Sequence, residues 1–273
     1  MRVPYRLWHG RRGDRGGWRL AIPTAGQASR ATPRNLERAL GVKFMDHRGR
    51  LLASGGALRH LAHIDADGID PRLRGVEVEV ACDVDNPLTG PRGAARVYGP
   101  QKGATPAMVR QLEAGLRRLA EVLRRDAGVD VASVPGAGAA GGLGAGLMAF
   151  AGGRLRPGVD IVIDTVMLAD RLKGCDLVVT GEGRMDGQTV FGKAPAGVAR
   201  VARSLGIPVI AICGSLGEDA GKVAGVGIAA CFSALEEPLG EADLGRRAAG
   251  MLERCARQVG ALIALFRPPV RSA

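Results

Sequence analysis

A chain of 273 residues can form one large or two modest domains, and with 46% hydrophobic and 24% charged residues its composition is ordinary for a soluble globular protein. No uncharged apolar stretch of about 18 residues occurs, so no membrane span is expected. The net charge of +11 is concentrated near the start, where residues 1–40 hold nine Arg against Asp14 and Glu37, and the rest of the chain carries no long basic stripe interleaved with aromatics; a nucleic-acid partner is not expected, and an anionic small substrate accounts for the remaining charge.

Residues 1–36 are rich in Arg and Gly, contain Trp8 and Trp18, and show neither helical nor strand periodicity; a poorly ordered basic segment is expected. The start has no apolar core of the kind a secretory signal carries. From there the pattern becomes regular: a helix end over 35–40, a strand over 42–46 and a hairpin turn at 47–50. Residues 76–82 alternate as a strand, with Val76, Val78 and Val80 on one face and Glu77 and Glu79 on the other. An amphipathic helix is expected over 105–125, capped by Thr105, with Pro106 in its first turn and Met108, Leu112, Leu116, Leu119 and Leu123 as its apolar stripe. Beyond it the pattern predicts a strand over 129–134, a small-residue helix over 139–150, a short apolar run at 161–164 and a helix over 166–172. Strands over 176–180, 208–213 and 228–232, with helices over 194–205 and 244–265, complete the chain. Short apolar runs separated by helices predict an α/β fold built on a mainly parallel, doubly wound sheet, with the last three strands as neighbours. The cysteines Cys82, Cys175, Cys213, Cys231 and Cys255 form no CxxC pair and fall largely in apolar runs, the pattern of a reducing, cytoplasmic setting.

In such sheets ligands collect beyond the carboxyl ends of the strands. The segment Val179-Thr-Gly-Glu-Gly-Arg-Met-Asp-Gly-Gln-Thr-Val-Phe-Gly-Lys193 runs from a strand into a loop with two carboxylates, an Arg and a Lys, and then into a helix start. Gly181 and Gly183 let backbone amides approach an anion, Arg184 and Lys193 can neutralise phosphate oxygens, and Glu182 or Asp186 can hold a metal or accept a hydroxyl proton. A surface turn whose charges pair among themselves is the plainer alternative. After the strand at 76–82 come Asp83, Asp85, Asn86, Thr89 and Gly90, and Gln101 and Lys102 precede the long helix; these are read as site-lining polar groups, against an Asn-Pro turn with local capping. Gly136, Gly138 and Gly141 make a formal GxGxxG followed by Asp160 and Asp164, which admits a nicotinamide-dependent oxidoreductase. No GxxxxGK[ST] sequence occurs, which excludes a P-loop kinase. His60 and His63 stand three apart without patterned ligands and are expected on a solvated helix face.

Five strings taken together resemble the bacterial glycerate kinases of the glycerate 2-kinase type: Val80-Ala-Cys-Asp-Val-Asp-Asn-Pro-Leu-Thr-Gly90, Tyr98-Gly-Pro-Gln-Lys-Gly103, Pro135-Gly-Ala-Gly-Ala-Ala-Gly-Gly-Leu-Gly144, Thr180-Gly-Glu-Gly-Arg-Met-Asp-Gly-Gln-Thr189 and Gly192-Lys-Ala-Pro195. The likeness runs from residue 37 to residue 265. It implies transfer of the ATP γ-phosphoryl group to D-glycerate, giving 2-phosphoglycerate, with Mg²⁺, and it is compatible with a homo-oligomer. It further implies two α/β domains flanking a cleft: residues 37–172 as an inserted middle domain and 173–273 as the C-terminal part of a Rossmann-like domain, the 1–36 segment not matching. On this resemblance the catalytic set is Asp186, Glu182, Arg184 and Lys193, with Glu182 and Asp186 as metal ligands. The binding set is Asp83, Asn86, Thr89, Gln101, Lys102, Gly136, Gly138, Gly141, Gly181 and Gly183, and Asp83, Asn86, Glu182, Arg184, Asp186 and Lys193 are expected to converge on one cleft. Family members also carry an Asp-Ser-Phe-Lys-Gly-type loop and a Gly-Gly-Ser-Ala-Thr-Asn-Asp-Gly-Gly-type loop that this sequence lacks. The first domain is therefore expected to be incomplete at its N-terminal end, with most activity lost or only nucleotide binding or subunit pairing retained.

Overall fold

The computed structural model describes residues 8–11, 18–23, 40–52, 54–190, 192–237 and 239–265, and the chain divides into two compact units, Met1–Ile161 and Val162–Ala273. The first unit opens with β1 (Trp8–Arg11) and β2 (Trp18–Pro23), which pair antiparallel. Strands at these positions depart from the expectation of no strand character in residues 1–36; the rest of that segment lies outside the described residues. The helix end expected over 35–40 lies outside the described residues except for Leu40, which is helical. β3 (Lys43–Met45) and β4 (His63–Asp65) form an antiparallel pair, with a 3₁₀ turn at Gly55–His60 between them. The expected turn at 47–50 is built on Asp46, whose carboxylate accepts the amides of Arg48 and Arg50 at 2.8 and 3.0 Å.

β5 (Val76–Ala81) lies parallel to β2, with Trp18 opposite Val76 and Ile22 opposite Val80, and this pairing makes β2 a strand. After β5 come α1 (Ala94–Tyr98), a 3₁₀ turn at Pro100–Lys102 and α2 (Pro106–Asp126), where the Thr105 hydroxyl accepts the Met108 amide as the cap. α2 buries Leu116, Leu119, Val122 and Leu123 against Val42, Phe44, Leu58, Leu61 and Phe150; the rings of Phe44 and Phe150 meet edge to face. Met108, expected in the buried stripe, is exposed because the first turn of α2 projects past this core.

The expected strand over 129–134 does not form. Val131 is buried as its alternation suggests, but Asp130 turns back to accept the Ala132 amide, and one long bond from the Thr89 amide to the Ala132 carbonyl is no ladder. The helix expected over 139–150 is interrupted: Ala140, Gly141 and Gly142 adopt positive φ, leaving a 3₁₀ turn at Ala139–Gly141 and then α3 (Leu143–Ala151). β6 (Arg154–Arg156) closes a sheet of order β1-β2-β5-β6, parallel to β5. α3 packs on this sheet through Leu147 against Val78 and Val80. The short apolar run at 161–164 falls inside α4 (Gly158–Thr165), at the division between the units.

The second unit contains α5 (Leu168–Leu172), β7 (Val178–Thr180), β8 (Arg184–Met185), α6 (Ala194–Ser204), β9 (Val209–Cys213), β10 (Ser215–Leu216), β11 (Ile228–Ser233) and α7 (Glu241–Leu265). β11, β9 and β7 form one all-parallel sheet in that order, as their sequence pattern predicts, and β8 and β10 pair parallel beside it. Ala199 and Ala202 let α6 lie close against Val209, Ala211 and Ile228, and Met185 joins the same core. All five cysteines are free thiols. Among the described residues no helix is long and apolar enough to cross a membrane.

Candidate functional site

β7 ends at Thr180, and the chain turns through Gly181 into a loop flanked by β8 and the start of α6. A Cβ at Gly181 would lie 2.1 Å from the Ile212 carbonyl oxygen, so only glycine lets this loop leave the sheet so close to β9. The loop is pinned from β10's side: the Gly214 amide donates to the Glu182 carbonyl and the Ser215 amide to that of Gly183, each at 3.0 Å. This backbone carries a compact charged cluster. Lys193, the N-cap of α6, places its ammonium 3.4 Å from Asp186 Oδ1 and 3.8 Å from Glu182 Oε2. Arg184 is also close, since a Cβ at Gly217 would meet both Asp186 Cβ and Arg184 Nε.

Thr189, absent from the expected site residues, organises this cluster. It is fully buried, accepts the Asp186 amide at 3.1 Å and donates its hydroxyl to Glu182 Oε1 at 2.5 Å. Its only signal in the sequence is the Asp-x-x-Thr spacing, which favours a side-chain-stabilised turn. The Gln188 amide, reinforced by Lys193 and Arg184, holds the Asp186 carboxyl below the ordinary carboxylate range. Asp186 is therefore an anion at neutral pH. The side chains of Glu182, Asp186 and Lys193 remain 17%, 29% and 37% exposed, so the cluster can meet a ligand.

The metal expectation can be tested on this donor set. Among the described residues no group of three or more His, Cys, Asp or Glu is arranged to hold an ion. Two neighbouring carboxylates are nevertheless the protein share that Mg²⁺ uses when phosphate oxygens and water complete its shell, so Glu182 and Asp186 fit it. His60 and His63 do not share a helix face: the first ends a 3₁₀ turn and the second begins β4, both exposed.

In the first unit the residues after β5 form a second polar array. Asp83 Oδ1 accepts the Gly158 amide at 2.8 Å, which fixes the start of α4. Asp85 pairs with Arg92, whose guanidinium keeps that carboxyl below its usual range. Asn86 is held at both ends, donating to the Arg92 carbonyl at 2.8 Å and accepting the Tyr98 hydroxyl at 2.6 Å. Glu113, from α2, accepts the Gly90 amide at 2.8 Å and so braces the loop that carries Thr89. Gln101 and Lys102 are exposed on their 3₁₀ turn. Tyr98, Arg92 and Glu113 are invisible as partners in the sequence because each lies several residues or more from the group it holds.

The GxGxxG glycines have a different use from the dinucleotide fingerprint. A Cβ at Gly138 would lie 2.2 Å from the Pro87 carbonyl oxygen, and one at Gly136 would meet Cys82 and Leu155 at 3.0 Å. Gly138 admits the protein's own Asn86-Pro87 loop where a pyrophosphate would have to approach, and Gly136 admits Cys82, Leu155 and the Val84 carbonyl; Gly141 and, in the second unit, Gly183 have open space instead.

Comparison with known proteins places these features in one family. A family model described as "Glycerate kinase family" matches residues 19–264, so the likeness begins within β2 and not at residue 37. The chain is 44% identical over 247 residues to a protein of Halalkalibacterium halodurans named glycerate kinase, covering 90% of this chain and 65% of that one. It is also 44% identical over 254 residues to a glycerate 2-kinase of Escherichia coli, covering 92% of this chain and 66% of the relative. A crystal structure from Salmonella typhimurium LT2, provisionally assigned as glycerate kinase 2, superposes with a TM-score of 0.78 at 43% identity over 90% of this chain and 64% of that one. The chain thus spans about two thirds of the length of the relatives it matches.

Proposed function

Because the chain belongs to the glycerate kinase family, we propose that it moves the γ-phosphoryl group of ATP to a hydroxyl of D-glycerate, giving 2-phosphoglycerate. The observation that carries this reading is the cluster between β7 and α6, where two carboxylates and two cations gather on glycine-framed backbone and a buried threonine bonds the Glu182 carboxylate and the Asp186 amide. Phosphoryl transfer asks a protein mainly for positioning and charge neutralisation, and this cluster offers both. Arg184 and Lys193 neutralise phosphate oxygens. Asp186 and Glu182 would hold Mg²⁺, which supplies further neutralisation of the phosphates when bound. On this reading Glu182, which accepts the Thr189 hydroxyl, also takes the hydroxyl proton. The second array, Asp83, Asn86, Thr89, Gln101 and Lys102, is assigned on this reading to substrate binding. The nicotinamide alternative loses support where Gly138 is closed off by Pro87.

A coupled assay for ADP release tests this. Release that depends on D-glycerate is expected. Arg184→Ala and Lys193→Ala should each weaken binding of ATP with Mg²⁺, while His60→Ala should not. A folded preparation that neither releases ADP with D-glycerate nor binds ATP with Mg²⁺ sinks the reading.

A further inference from the structure

A groove of about 740 Å³ lies in the first unit between α1, the Pro100–Lys102 turn and one face of α2, and shares no residue with the cluster on the β7–α6 loop. Its size is that of a small-molecule site. Arg96, Arg110 and Arg117 line it, with Pro106 and Val109 as apolar wall and Glu113 beneath. Neither Arg96 nor Arg110 has an acidic partner among the described residues, although most arginines on this surface do. Glu113 is the unusual member. It is 5% exposed, and its Oε1 accepts both the Gly90 amide and Arg117 Nε, at 2.8 and 3.1 Å. Its Oε2 is buried with no partner at all, the one such side-chain atom among the described residues. A buried carboxylate oxygen left unmatched is costly, and native structures seldom retain one without a use.

We propose that this groove is a second binding site, for a small organic anion that also carries a hydrogen-bond donor. The arginines take the anionic groups, and Glu113 Oε2 accepts from a hydroxyl or amine on the same molecule. One ligand thereby satisfies the lone oxygen and the unpaired guanidinium groups together. Since the other oxygen of Glu113 braces Gly90, occupancy bears directly on the loop that carries Thr89.

The probe is 3-phosphoglycerate, titrated calorimetrically into the full chain beside 2-phosphoglycolate, which has the same two anionic groups but no hydroxyl. Saturable binding is expected, with 3-phosphoglycerate preferred. Arg96→Ala with Arg110→Ala should weaken it by about tenfold or more, as loss of charge-assisted hydrogen bonds does. Glu113→Gln keeps an acceptor for Gly90 and should erase the preference for the hydroxyl-bearing probe; Arg110→Ala alone gives an independent reading if that variant folds poorly. Arg184→Ala, on the other loop, should leave the affinity unchanged. Absence of saturable binding, equal affinity for the two probes, or an affinity indifferent to the arginine changes would overturn the proposal. Binding lost in Arg184→Ala but kept in the Arg96→Ala, Arg110→Ala variant would place the ligand on the β7–α6 loop, overturning the second site while leaving the kinase reading intact.

Discussion

Thr189 shows how one hydroxyl can tie a charged side chain to the backbone of its own loop. It receives the Asp186 backbone amide and gives its proton to Glu182, while the Lys193 ammonium stands 3.4 Å from Asp186 Oδ1 and 3.8 Å from Glu182 Oε2. Asp186→Asn keeps an oxygen for the Gln188 amide but removes the charge. We expect kcat for D-glycerate phosphorylation to fall by about 10² or more with little change in unfolding temperature; an unaltered kcat would make Asp186 a structural residue. Asp46 allows a sharper test of sign. Backbone and side-chain bonds from Arg50, with the Arg48 amide, lower its carboxyl from 3.8 to about 2. Because the folded value is depressed, its contribution to stability is complete above 3.8 and disappears as pH falls towards 2. Urea unfolding of the protein and of Asp46→Asn should therefore differ at about pH 6 and converge between about pH 4 and pH 2. A gap that stays constant through that window would show that the turn does not depend on the charge.

Among the elements, β2 and the segment at 129–134 make an instructive pair. The first has an ordinary composition and forms a strand because β5 offers it a parallel partner over six residues. The second has the alternation of a strand and buries Val131, yet lacks a ladder because no neighbour runs beside it among the described residues. Side-chain pattern reports burial; a strand also needs a partner for its backbone. The GxGxxG turn is likewise decided by its neighbour. Gly138→Ala would press a Cβ into the Pro87 carbonyl, and overpacking of this kind costs about 1–3 kcal/mol or more. Gly183→Ala meets nothing within 4 Å, so its effect should stay within about 0.5 kcal/mol. Chemical denaturation of the two variants checks the contrast, and equal losses would show that the Asn86-Pro87 loop yields easily.

At the scale of the whole molecule, each unit has its own apolar core, Leu123 with Phe44 and Phe150 in the first and Val209 with Ile228 in the second. Leu123→Ala removes a fully buried side chain and should cost about 2–5 kcal/mol. Hydrogen exchange should then speed up at the amides of α2 and leave those of β9 unchanged; uniform acceleration would mean that the units open as one. Features whose physical origin is local are legible in the chain's own pattern. These are the parallel strands β7, β9 and β11 between helices, the Thr105 cap of α2, and the charged Gly-rich loop from Gly181 to Lys193, whose residue string resembles that of the family. Other features exist only once the chain has folded: β2 pairs with β5, Gly138 serves the Pro87 loop, Glu79 is buried beside Arg156, and Thr189 and Glu113 hold the functional loops. The reason is range. Periodicity and capping act over a few residues, whereas a backbone ladder or a buried polar group is satisfied by whatever the fold brings to it, as when Asp83 takes the amide of Gly158 from 75 residues away.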